Sequence, residues 1–85
     1  MDDLKRLRNE IDVIDDELFA LLNHRFELSK KIKTVKKEQG ITVHDPHREK
    51  NILSRIHRFS NSADIKAVYE TIFSLSKAIQ EKKES

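Results

Sequence analysis

With 85 residues the chain has room for one domain, and 36% hydrophobic against 38% charged residues makes a thin core for a compact monomer, so burial against a partner is expected. The absence of cysteine excludes a disulfide framework and a thiolate metal site. The longest purely apolar run, Leu18 to Leu22, is too short for a membrane span or a signal-peptide core, and a net charge of +2 with basic and acidic residues intermixed argues against nucleic-acid binding, so the expected setting is cytoplasmic.

The chain carries a single Gly and a single Pro, Gly40 and Pro46, which together mark one clear connection. A second break falls at Ser60-Asn61-Ser62, with Ser62 or Asp64 as the expected cap of the next helix. Three helices are predicted, over residues 3–39, 46–59 and 63–82, and the fold class is all-α. There is no internal repeat, and the charged tail over residues 81–84 is expected to fray.

In the first helix Leu4, Leu7, Ile11, Ile14, Leu18, Leu21, Leu28, Ile32 and Val35 fall on alternating steps of three and four, and Arg25 occupies the position between Leu21 and Leu28. Such a helix runs roughly 55 Å at about 1.5 Å per residue, whereas a compact domain of this size is only about 30 Å across. Much of it overhangs its own chain, and the seam stays buried only against a second copy. The expectation is therefore an intertwined or coiled-coil-like homodimer.

Arg25 and Lys36 are separated by about three whole turns, so they project from one side of the helix roughly 16 Å apart and leave a gap suited to a small dianion. Arg8 lies about 25 Å from Arg25 along the axis and roughly 100° round it, out of reach within one chain but within reach from an antiparallel partner. Plainer readings stand beside these. Arg25 can be a specificity device in a coiled-coil seam, and Lys36 and Arg8 can belong to a solvated face.

The stretch VHDPHRE, residues 43–49, starts the second helix. Asp45 can cap the free amides and Pro46 suits the first helical position, while Glu49 is acceptable near the positive end of the dipole. Arg48 sits where a cation is least favoured, either tolerated at small cost or held by something anionic. His44 and His47 beside Asp45 are too few and too exposed for a metal site.

Ile65, Val68, Ile72, Leu75 and Ile79 form the apolar stripe of the third helix, edged by Tyr69, Ser76 and Gln80. Ser76 and Gln80 are one turn apart, uncharged hydrogen-bonding groups at the border of a buried face, where boundary residues are also common. No nucleophile has an obvious base, and no Gly-rich phosphate loop is present.

The series LRNEIDVIDDELFALLNHR, KIKTVKKEQG and VHDPHRE closely resembles the all-helical chorismate mutases of the AroQ class, over nearly the whole chain. The resemblance implies a single helical domain over residues 1–85, a three-helix subunit in an interwoven dimer, two equivalent sites and no cofactor. It implies that Arg25, Lys36, Asp45, Arg48, Glu49, Ser76 and Gln80 line a site in one subunit and that Arg8 enters from the other. The implied substrate is the dicarboxylate chorismate, rearranged to prephenate on the route to Phe and Tyr. Arg25, Lys36 and Gln80 would be the catalytic groups, with Lys36 and Gln80 as donors to the ether oxygen, and Glu49 would accept a hydrogen bond from the ring hydroxyl. A further partner among shikimate-pathway enzymes is also compatible with it. Two rivals keep a place: an isochorismate-pyruvate lyase of the same fold, and a non-enzymatic helical dimerisation module whose Arg25 sets register.

Overall fold

The computed structural model describes residues 2–40 and 45–82, so His44, much of the first connection and the tail beyond Lys82 lie outside it. Among the described residues there are three helices, in the order α1 (Asp2–Gln39), α2 (Pro46–Ser54) and α3 (Ser62–Glu81). None of these helices is long and apolar enough to cross a membrane.

Helix α1 begins with Asp2 and Asp3 in its first turn and ends with Lys36 and Lys37 in its last, the arrangement that opposes the helix dipole at both ends. It stops at Gly40, whose φ of 68° lies in the left-handed region that glycine enters without a Cβ penalty. The Gly40 N–H donates to the Lys37 carbonyl at 3.4 Å. With 38 residues, α1 sets the 56 Å long axis of the molecule. The radius of gyration is 16.5 Å, against about 12 Å for a compact domain of this length.

Only the C-terminal half of α1 is covered by its own chain. There it packs on α3, where Ser29 is buried and the Lys33 ammonium donates to the Lys82 carbonyl at the end of α3. Residues 2–14 are all exposed, and the apolar seam stands in solvent from Leu4 to Val35. Ile11 and Ile14 are each 54% exposed, a large apolar area for a folded chain to leave open.

The core is small and lies between α2 and α3, made of Ile52, Ile56 and Ile72. Helix α2 ends earlier than its periodicity predicts, at Ser54 rather than residue 59. From Arg55 the backbone continues in tighter turns, with N–H groups of Arg55, Ile56, Phe59 and Ser62 each donating to the carbonyl three residues before. This winding turns Ile56 into the core while Arg55, His57 and Arg58 remain in solvent. Neither Ser62 nor Asp64 caps α3: Ser62 is its first helical residue, and Asn61 holds the cap position without a side-chain hydrogen bond.

Candidate functional site

The start of α2 is built by its cap. The Asp45 side chain accepts a hydrogen bond from the Arg48 N–H at 3.0 Å, its carbonyl accepts from the Glu49 N–H at 3.2 Å, and Pro46 takes the first helical position. This holds Asp45, Arg48 and Glu49 together at one helix end. From α1, residues 25, 29, 32 and 36 repeat at steps of four, three and four and so form one stripe. From α3, Ser76 and Gln80 stand one turn apart on another.

These three surfaces enclose a cavity of about 300 Å³, at the small end of the usual range for small-molecule sites, roughly 300–1,000 Å³. Arg25 and Lys36 line it from α1, Asp45, Arg48 and Glu49 from the start of α2, and Ser76 and Gln80 from α3. Ile32 and Ile52 supply apolar wall. Arg8 stands apart, exposed on the overhanging part of α1 and not on this cavity.

Arg25 is the centre of the site. Its Nη1 donates to the Ser76 Oγ at 3.0 Å, and its guanidinium carbon lies 5.5 Å from the centre of the Tyr69 ring. Half-buried, it has no ion pair with a carboxylate among the described residues, whereas Arg6 pairs with Glu10 and Lys30 with Glu27 on the surface. A half-buried guanidinium held by neutral groups is left uncompensated by a carboxylate and so suits an incoming anion.

Gln80 is the second unusual group. Its Oε1 is buried without a hydrogen-bond partner, a costly state for an amide unless a ligand meets it. A half-turn of the amide puts its N–H donors in the same seat.

Sequence reasoning misses three polar or aromatic lining residues, Ser29, Phe73 and Lys77. Ser29 could have been found from the stripe it shares with Arg25 and Lys36. It is buried, and its hydroxyl donates back to the Arg25 carbonyl at 3.2 Å. Lys77 follows Ser76 on the polar side of α3, and nothing in its spacing separates it from a solvated lysine.

The model of the family described as chorismate mutase type II matches residues 7–81. The chain belongs to that family. Among curated members, it is 41% identical over 73 residues to the bifunctional chorismate mutase/prephenate dehydratase of Aquifex aeolicus, an alignment covering 86% of this chain and 19% of that protein. It is 32% identical over 83 residues to the chorismate mutase of Methanocaldococcus jannaschii, covering 91% of this chain and 83% of that one. The chain thus spans about a fifth of the longer relative's length and most of the shorter one's. A solved structure of a conserved hypothetical protein from Pyrococcus furiosus superposes with a TM-score of 0.79 at 35% identity, covering 92% of this chain and 95% of that one. Family membership and the three-helix architecture therefore agree.

Proposed function

We propose that the chain converts chorismate to prephenate as a single helical domain over residues 1–85 in a homodimer. The observation that carries this reading is Arg25, a half-buried guanidinium with no carboxylate partner among the described residues, in a cavity it shares with Lys36, Arg48 and Gln80. Family membership supports the same activity.

The reaction suits a site without a nucleophile. In this intramolecular [3,3] shift one carbon–oxygen bond breaks as one carbon–carbon bond forms, with no covalent intermediate and no required proton transfer. The protein has to hold the compact conformer of the substrate and stabilise charge gathering on the ether oxygen. Arginine forks hold the two carboxylates in fixed directions, and Arg25 and Arg48 serve this purpose in one chain. Lys36 and Gln80 donate to the ether oxygen. Glu49 accepts from the ring hydroxyl, and Asp45 and Ser76 hold Arg48 and Arg25 in place.

The second copy completes the enclosure. The chain exposes 7437 Å², against about 5,200 Å² for a compact monomer of its mass. Twice that surplus, roughly 4,400 Å², lies within the 2,000–5,000 Å² that obligate homodimers bury in total. In an antiparallel pairing along α1, the partner's overhang brings its Arg8 to this cavity as a third fork. The bifunctional relative supports a further association with another enzyme of the same pathway.

The test is product analysis on purified protein given chorismate or isochorismate. Prephenate from chorismate supports this reading, pyruvate release from isochorismate alone favours the lyase, and neither favours the dimerisation module.

A further inference from the structure

Tyr69 does not line the cavity, yet it touches the central cation. At 5.5 Å the Arg25 guanidinium carbon is within the roughly 6 Å range of cation–π attraction to the ring. Tyr69 is itself fixed from the side: its ring meets Phe73 edge-on, with centroids 5.6 Å apart and planes at 70°. Residues 69, 73, 76 and 80 follow steps of four, three and four, so they share one stripe of α3 within roughly 60° of arc. The guanidinium is thus held at two points of that stripe, a ring and the Ser76 hydroxyl.

Both holders are neutral, which decides their effect. A carboxylate in either place would fix the guanidinium but compete with an anionic ligand for its charge. A ring face and a hydroxyl fix its plane and leave the charge available. The ring also restrains a long side chain that would otherwise lose rotamer freedom on binding.

The geometry points to Tyr69 as a positioning residue that sets the plane of the Arg25 guanidinium for a substrate carboxylate. This inference rests on the cavity being a dianion site. It also makes the chain its own reporter, because Tyr69 is the single tyrosine and there is no tryptophan. Tyrosine emission therefore reports on this ring alone.

Two variants and one optical titration test it. Tyr69→Leu lowers kcat/KM for chorismate by about tenfold, and Tyr69→Phe, which keeps the ring face, recovers it to within about threefold of the parent. In an Arg25→Ala background, Tyr69→Leu has no further effect on the residual rate, whereas a general packing role lowers both backgrounds equally. Malate changes the tyrosine emission of the parent chain and not that of Arg25→Ala. The inference is overturned by full kcat/KM in Tyr69→Leu, by equal losses in both backgrounds, or by an emission response indifferent to Arg25. Should Tyr69→Leu fail to fold, Tyr69→Phe and the emission titration decide alone. A parent chain that ignores chorismate yet shows the Arg25-dependent malate response sinks the proposed reaction and keeps the positioning role; one that shows neither sinks both.

Discussion

The Arg25 guanidinium donates to the Ser76 hydroxyl at 3.0 Å, joining α1 to α3 across 51 positions of sequence. This hydrogen bond ties the two helices at the cavity and, with the Tyr69 ring, holds the guanidinium there. Ser76→Ala removes the acceptor and leaves the Tyr69 contact. Hydrogen bonds to charged groups contribute about 1.5–3 kcal/mol, and with Arg25 only half-buried the lower end applies, so kcat/KM is expected to fall about tenfold. Steady-state kinetics beside a thermal melt checks this: the activity loss is to exceed what any small drop in Tm explains.

The exposed seam of α1 carries the second prediction. Ile14→Glu places a charge in the middle of the surface assigned to the partner, where an unpaired buried carboxylate is strongly unfavourable. Sedimentation at micromolar concentration is expected to show a dimer for the parent chain and a monomer or unfolded chain for the variant. The parent's Tm should also rise with protein concentration, as it does wherever folding and association are coupled. A parent chain that sediments as a monomer removes the basis for Arg8 acting across the interface.

Arg8 gives the third. Arg8→Ala and Arg25→Ala homodimers are each expected to be nearly inactive, but a mixed dimer carries one site with both arginines intact. Equal amounts after random exchange should restore about a quarter of the sites. Activity that stays absent after exchange has been verified by mass would refute the cross-chain assignment.

Much of this arrangement is legible in the sequence alone. The alternating three and four spacing from Leu4 to Val35 defines α1, and the Asp45-Pro46 step defines the start of α2, because both signals are local and each has one strong physical cause. The end of α2 is not legible. No Gly or Pro follows Ser54, and the chain tightens there with Ile56 buried beyond the helix end, a requirement of packing that periodicity does not encode. The site divides in the same way. Arg25 and Lys36 stand out because they are cations on an otherwise apolar or stripe-sharing face, whereas Lys77 and the Tyr69 contact depend on how α1 lies on α3. Arg8 is visible in sequence, but within one chain it stands exposed on the overhang of α1, away from the cavity.

Gln80 offers a prediction in pH. Its buried Oε1 lacks a partner, and an amide can donate to the ether oxygen at any ordinary pH. The parent rate should be flat from mildly acidic to neutral pH, since no carboxylic acid has to be protonated. Gln80→Glu is expected to be active at acid pH, where the introduced carboxyl is protonated and donates, and to fall steeply as pH rises and the carboxylate repels the developing oxyanion. Two pH series of kcat/KM with the same shape would mean that Gln80 does not face the breaking bond.

The most direct measurement follows chorismate absorbance with purified protein and no added cofactor, identifies the product, and repeats the assay with Arg25→Ala and Lys36→Ala. The parent chain is expected to convert chorismate to prephenate far above the spontaneous rate, and each variant to lose on the order of a hundredfold or more, as when one donor to a developing oxyanion is removed. Loss of chorismate at only the spontaneous rate by a folded parent chain, or variants as active as the parent, would contradict the account.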